Sequence, residues 1–461
     1  MDYLSKRQLI LTGDMKKVIL TLSLPIMLGN LIQTLYNLAD TFWVGKLGTD
    51  EIAALGLVFP FIFLMLAFGI GMNVAGTALI SQHIGSDNHE GATAIAGQLF
   101  TLSAIFSILV SVVGYISIPH VLSLIGDNTH VQLFATQYLQ VMFLGAPTIF
   151  LFFVFNAVKH GQGDTITPMI LNASGVILNI VLSPIFIFTF NLGVQGAALA
   201  TIFSRGLFMI YAVYTLFSHR NGIKLAMHDL IPNKQLILQI LKIGLPASIG
   251  TSATAFGFII LNSFVVSFGS ATLAAFTIGN RINSLVLMPA MGIGNSLASI
   301  VGQNLGADNK ERAKLAFRTA LSLSIPFMAV GGFLLFLLAP QFVGFFTSDP
   351  AVLSEGVKYA RLISLSLPLM GIFQSLIGVF QGSGHTIYGM FLEMGRLWGL
   401  RIPMIIIFKN ITNWGSASVW YAMVISNAII CIVGTFIYLK GRWLKKVIDQ
   451  TPNTPLLDAD D

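Results

Sequence analysis

Apolar runs long enough to cross a lipid bilayer recur about a dozen times in this chain, and that recurrence limits its folds more than any single motif. A hydrocarbon core offers no water, so every backbone N–H and C=O there needs a partner within the protein. Only helices and closed barrels satisfy that demand. The runs have the ~20 residues that carry a helix across, and the alternating ten-residue segments of a membrane barrel are missing. Of the 461 residues, 10% are charged and 55% hydrophobic, against about 25% charged in soluble domains. The expected fold is all-α and polytopic, with nearly the whole chain in the membrane.

Twelve transmembrane helices are predicted, over 17–45, 52–80, 93–118, 132–158, 167–190 and 195–217, then 238–268, 272–300, 315–338, 352–379, 388–408 and 415–440. An even count brings both termini to one side. That side holds 17 Lys and Arg, Arg220 and Arg312 among them, and the other side holds four: Lys46, Lys358, Arg361 and Lys409. The bias predicts a cell-membrane protein with both termini cytoplasmic. The first 17 residues do not read as a signal peptide, because their apolar run of about five residues ends at Thr12-Gly13-Asp14. The lone Cys431 excludes an intramolecular disulfide framework or a thiolate metal site.

The chain is also an internal repeat with a shift of 221 residues. Leu24-Pro25 matches Leu245-Pro246. Gln82, Gly85 and Asp87-Asn88 match Gln303, Gly306 and Asp308-Asn309. Pro147 matches Pro368, and Gly161, Gly163 and Thr165 match Gly382, Gly384 and Thr386. With six spans per copy, both copies enter from the same side, the parallel-repeat plan of transporters with a path between the halves. The expected organisation is a six-helix lobe over 1–217, a cytoplasmic linker over 218–235, a second six-helix lobe over 236–440 and a cytoplasmic tail over 441–461, the two lobes flanking a central cleft.

Asp40 is an ionisable residue inside the first apolar stretch, with Gln33, Tyr36 and Asn37 at helical spacing before it. A carboxylate near mid-bilayer costs roughly 2.5–3.5 kcal/mol or more, so such a group marks a functional site. The repeat is a control. Shifted by 221, Gln33, Tyr36, Asn37 and Asp40 become Thr254, Gly257, Phe258 and Leu261, while Asn156, Asn179 and Ser183 become Ile377, Leu400 and Met404. Thr201, at a local shift of 222, becomes Met423. These polar groups exist in one copy only, which assigns the ion chemistry to the first lobe. Asp40, Asn179, Ser183 and Thr201 offer oxygens that suit a hard cation, and a single carboxylate carries a proton equally well. Gln33, Tyr36, Asn37 and Asn156 are expected to line the cleft.

The paired Leu-Pro, Gln-x-x-Gly-x-Asp-Asn and Gly-x-Gly-x-Thr motifs closely resemble the multidrug and toxic compound extrusion (MATE) family. The Asn37, Asp40, Thr41 pattern is similar to its archaeal, DinF-like branch. The resemblance implies a secondary active exporter of amphipathic or cationic compounds, driven by H⁺ or Na⁺ through alternating access. It also implies a cation site at the positions of Asp40, Asn179, Ser183 and Thr201, with Na⁺ held at Asp40, Asn179 and Thr201. The branch usually has a second acid where Ser183 stands. Pro25 matches a proline that lets the first helix bend.

Plainer roles stay open. Asp40 is six residues from Lys46 and fits a hydrated interfacial residue. Asn179 and Thr201 fit helix-packing hydrogen bonds, Ser183 fits a bond to the carbonyl freed by Pro184, and Pro25 fits a static kink. Glu393 and Arg396, three apart, are expected to form a structural or gating pair, and Arg205 and Arg281 to snorkel or bridge the lobes. No Walker loop or nucleotide domain occurs and no nucleophile–base constellation, so an enzyme is not expected. Neither a cofactor nor nucleic acid is expected as a partner. The expected partners are small drugs and membrane lipid, and the chain is expected to be a monomer. The competing function is a lipid-linked oligosaccharide flippase of the same wider superfamily, which needs a more basic cleft than four arginines within spans provide.

Overall fold

The structure, a computed structural model, describes residues 3–124, 129–218 and 222–448. Arg220 of the expected linker and the expected tail beyond residue 448 lie outside the described residues. Among the described residues the ordered elements are all helical. A short helix α1 (Tyr3–Thr12) precedes α2 (Met15–Gly45), α3 (Thr49–Gly85) and α4 (His89–Ser123). Then come α5 (Thr129–Leu144), α6 (Ala146–Gly161), α7 (Ile166–Pro184) with a π-helical turn over 185–189, and α8 (Gly193–Phe217). The second half repeats the order as α9 (Lys234–Val266), α10 (Ser270–Gly306), α11 (Lys310–Leu337), a one-turn α12 (Ala339–Gly344), α13 (Pro350–Ser364) and α14 (Leu367–Gly382). It closes with α15 (Thr386–Met394), a π-helical stretch over 395–401, α16 (Ile402–Ile411) and α17 (Ala417–Leu439).

Among the described residues nine helices are long and apolar enough to span a membrane, and the bent pairs α5–α6 (49°) and α13–α14 (54°) make eleven. Both bends fall where Pro147 and Pro368 open the second helix of the pair, since a proline ring displaces the preceding turn. The twelfth transmembrane helix is the continuous path α15–π–α16. Every 18-residue stretch of it carries at least three of Glu393, Arg396, Arg401 and Lys409, which lowers its hydropathy.

Each duplicated motif has a local physical cause. In Gln-x-x-Gly-x-Asp-Asn, the aspartates take left-handed backbone angles (φ 63° at Asp87, 57° at Asp308). The asparagines that follow cap the next helices, accepting from Gly91 N at 2.7 Å and Arg312 N at 3.1 Å. Gly85 and Gly306 lie against the backbone of Gln303 and Gln82, where a side chain would collide. In the Gly-x-Gly turn the second glycine has φ +75° (Gly163) and +76° (Gly384), which a glycine adopts without strain.

These motifs close the two lobes against each other at one end. Gln82 Nε2 donates to Gly382 O at 3.3 Å and Gln303 Nε2 to Gly161 O at 2.9 Å, a reciprocal pair related by the repeat. Arg312 donates to Ile10 O (3.1 Å) and Gly13 O, tying α1 to the second lobe, while Arg7 donates to Ile84 O at 2.8 Å. Both terminal segments meet this end, since Val447 N also donates to Gln82 Oε1 at 3.0 Å. All described hydrogen bonds between the lobes lie here. Closer to the midplane, Gly292 of α10 sits on Met27 and Ser23 of α2, and Gly71 of α3 on Gly244 and Ser248 of α9. Small residues of this kind let membrane helices approach closely.

Candidate functional site

Tyr36 and Asp40 are one turn apart on α2 and turn inward between α5, α7 and α8. Asn179, Ser183 and Thr201 are no more than 1% exposed and Asp40 is 8% exposed. The Tyr36 hydroxyl and Thr201 Oγ1 are 2.9 Å apart, Asn179 Nδ2 donates to the same Oγ1 at 3.2 Å, and Ser183 Oγ donates to Asn179 Oδ1 at 3.3 Å. Thr201 has one proton, which goes to Ala197 O at 3.1 Å. Its two lone pairs therefore accept from Tyr36 and Asn179, and the threonine is fully satisfied. Tyr138 of α5 is buried beside the Asp40 carboxylate, and Asp40 Oδ1 has no hydrogen-bond partner. The Arg205 guanidinium lies 5.2 Å from the centre of the Tyr36 ring and within electrostatic reach of Asp40. One titratable acid, with one free oxygen, sits beside a hydrogen-bonded network of neutral groups.

Tyr36, Asn179 and Arg205 line a cavity of about 240 Å³ that extends from beside this network to Pro25 of α2 and His160 of α6. Pro25, Asn30 and Gln33 line it from α2, Asn156 and His160 from α6, and Asn172 from α7. Asn30 Nδ2 and Asn156 Oδ1 are buried without partners, two polar atoms available to an occupant. The cavity belongs wholly to the first lobe and does not lie on the axis between lobes. The physical reason is the tight seam of α2 on α10, where Met27 fills the space beside Gly292.

Of the residues singled out from sequence, Asp40, Tyr36, Asn179, Ser183 and Thr201 come together, and Gln33, Asn156 and Pro25 line the adjoining cavity. Asn37 does not join them: it is exposed, and its nearest polar partner is Gln33 Nε2 at 3.4 Å. A 100° step per residue separates it from the inward face of Tyr36 and Asp40. The helix α2 is continuous through Pro25. Arg205 is not a snorkelling or interlobe residue, because it stacks on Tyr36 within the first lobe. Glu393 and Arg396 are not paired: no ion pair within 4 Å joins them among the described residues. Glu393 Oε2 turns to Gly250 of α9, whereas Arg396 lies 4.5 Å over the Phe373 ring and donates to Met370 Sδ. Arg396 stands in the π-helical stretch, whose wider turn rotates it away from Glu393.

The MatE family model matches residues 25–185 and again 246–407, so the two lobes are two copies of one unit. The chain belongs to the MATE family of transporters. A probable multidrug resistance protein of Bacillus subtilis, YoeA, is 28% identical over 437 residues, covering 92% of this chain and 94% of its own. A solved MOP-superfamily transporter from Pyrococcus furiosus, described as having reversed binding-pocket polarity that suggests a different function, matches with TM-score 0.89. It is 31% identical, covering 95% of this chain and 98% of its own. An outward-facing multidrug resistance MATE transporter matches with the same TM-score, identity and coverage. The protein is thus a multi-pass membrane transporter of a family that is not enzymatic and handles small molecules.

Two residues beside Asp40, Tyr138 and Arg205, do not stand out in the sequence. Tyr138 has a tyrosine, Tyr359, at the 221 shift, so a filter for residues unique to one copy discards it. Arg205 becomes Asn427 at the local 222 shift and passes that filter, but a charge near a span end reads as a snorkelling residue.

Proposed function

We propose that this MATE protein is a secondary active exporter of amphipathic or cationic compounds, with Asp40 as the group that couples export to inward movement of H⁺ or Na⁺. The observation carrying this reading is the buried Asp40 carboxylate with a free oxygen, one turn from Tyr36, which lines a mostly apolar cavity. A group that is charged in one state and neutral in the other gives two lobe orientations different ion affinities, which is what a gradient acts on. The oxygens of Asn179 and Thr201 already accept protein hydrogen bonds, which favours a proton over Na⁺. Compounds enter the first-lobe cavity, where Asn30, Gln33 and Asn156 offer polar contacts and Phe152, Phe153 and Met169 adaptable apolar ones. Both termini face the cytoplasm, so the closed end is the inner one; labelling of a cysteine at position 309 from outside intact cells overturns that orientation.

The deciding experiment is efflux from proteoliposomes under an imposed pH gradient and, separately, an imposed Na⁺ gradient. Asp40→Asn is expected to abolish driven export under both while the protein still folds and retains some substrate binding. Normal transport by this variant sinks the assignment. Ser183→Asp is expected to raise Na⁺ dependence by adding a second charged oxygen beside Asn179; unchanged Na⁺ response counts against a cation site here.

A further inference from the structure

The Gly-x-Gly turn occurs in both lobes with one backbone geometry but opposite charge. In the first lobe Asp164 follows the turn, accepts the Thr167 hydroxyl at 2.7 Å and pairs with Lys6 at 3.1 Å. At the 221 shift the second lobe has His385 and Tyr388 in place of Asp164 and Thr167, their rings parallel with centroids 6.0 Å apart. Around His385 two adjoining cavities open, of about 570 Å³ and about 420 Å³. Lys310, Arg442 and Lys445 line the first and Lys242 the second, and no acidic residue lines either. None of these four cations has an ion pair among the described residues. The nearby acids are engaged elsewhere: Asp308 with Lys446 at 2.6 Å and Glu311 with Lys314 at 2.7 Å.

The segment carrying Arg442 and Lys445 is pinned. Gly441 turns the chain at φ +70°. Trp443, 1% exposed, stacks on Tyr438 at 5.0 Å and donates to Tyr438 O at 3.0 Å. Further on, Gln239 Nε2 holds Val447 O at 3.0 Å. The cations are therefore fixed around a cavity and are not spread over a free tail. From this cavity the packed helices α9 and α15 present a strip of exposed apolar side chains: Leu238, Leu245 and Ile249 of α9 with Ile387 and Phe391 of α15, all between 42% and 60% exposed.

We propose that this is a binding site for an anionic phospholipid, its phosphate among Lys242, His385, Arg442 and Lys445 and its acyl chain along the apolar strip of α9 and α15. The ligand supplies the negative charge that Asp164 supplies in the other lobe. Basic pockets between membrane helices recognise lipid headgroups in this manner, and the helix start at Thr386 adds a favourable dipole end. A free phosphate shares the headgroup chemistry but leaves the exposed apolar side chains of α9 and α15 uncovered, so that strip commits the site to lipid.

Native mass spectrometry of the full chain in detergent, titrated with phosphatidylglycerol or phosphatidylcholine, tests this. Phosphatidylglycerol is expected to be retained in preference. Lys242→Gln, Arg442→Gln and Lys445→Gln together are expected to weaken it about a hundredfold, roughly fivefold per cation. His385→Asp, which installs the acid of the first lobe, is expected to weaken it about fivefold on its own, and it decides the matter if the triple variant fails to fold. Equal retention of the two lipids, or unchanged binding by the variants, overturns the proposal. Displacement of phosphatidylglycerol by millimolar inorganic phosphate overturns it too, by showing that the apolar strip contributes nothing.

Discussion

The two lobes place opposite charges on one scaffold. In the first, Asp40 lies beside Tyr138 and within electrostatic reach of Arg205. In the second, the equivalents are Leu261, Tyr359 and Asn427, and the buried charge is Arg401. It donates to Ser426 Oγ at 3.2 Å and Asn427 Oδ1 at 2.8 Å, and Asn427 in turn donates to Ser366 at 3.2 Å. An arginine stays protonated in proteins, so its network has one state. A carboxylate has two. Around this site duplication thus leaves a two-state carboxylate in one lobe and a fixed cation in the other.

The sharpest way to break this comparison is to remove each charge in turn. Asp40→Asn is expected to lower gradient-driven flux by about a hundredfold, the upper range of a coupling free energy, whereas Arg401→Met is expected to leave it within about threefold. Comparable losses in proteoliposome efflux erase the division between lobes. Stability is expected to follow another order. Asn427→Leu strands a buried guanidinium and is expected to cost about 2–3 kcal/mol, read as a lower thermal midpoint in detergent. Arg401→Met removes the charge and the need for its partners together, and is expected to cost less. The reverse ranking shows that Arg401 is not held as described.

Tyrosine is common to both copies, and it explains how far the sequence is legible. Helix number, the repeat and the inter-lobe motifs follow from apolar length and a constant offset, because packing positions tolerate little change in either copy. Asp40, Asn179, Ser183 and Thr201 stand out because a polar group inside lipid needs a reason. Tyr138 does not stand out, since its role depends on which side chain faces it across the bundle and not on its own kind. Glu393 and Arg396 do not pair for a related reason: a spacing of three means proximity on an α-helix, but the backbone at Arg396 is π-helical. The cavity inside one lobe is set by a seam of α2 on α10, a contact 265 residues apart between Met27 and Gly292, invisible to local patterns.

Tyr138→Phe and Tyr359→Phe sharpen the contrast at that shared position. Tyr138 lies beside a carboxylate, and a hydrogen bond to such a charged group contributes about 1.5–3 kcal/mol. Its removal is expected to reduce driven flux about tenfold or more with little change in folding. Tyr359 donates to the neutral Asn280 Oδ1 at 3.2 Å, a bond of about 1 kcal/mol, so its loss is expected to lower stability slightly and leave coupling alone. Equal effects on flux from the two variants mean that the shared tyrosine serves packing in both lobes.

The smallest effect is expected at the Gly-x-Gly turns, where the lobes differ in pH response. Burial raises the Asp164 carboxyl, but the Thr167 hydroxyl and the Lys6 cation together hold it below its usual value. An acid depressed in the folded state stabilises above its unfolded value of about 3.9, and that contribution fades as pH falls through the lower folded value. Burial lowers His385, with Lys242 and Lys445 adding to the shift against the opposing Ser383 carbonyl. For a histidine lowered on folding, the unfolded chain binds the proton more readily. Stability therefore falls as pH drops below the unfolded value of about 6.5. Acidification weakens both turns, the second lobe's from about pH 6.5 and the first lobe's only below about pH 4. Thermal midpoints recorded from pH 8 to pH 3.5 are expected to show His385→Gln flattening the upper part of the profile and Asp164→Asn flattening only the lowest. With phosphatidylglycerol bound, the His385 contribution is expected to shrink or change sign, because an anion beside the ring favours its protonated form. A profile that lipid leaves unchanged separates His385 from the phosphate and moves the lipid away from this turn.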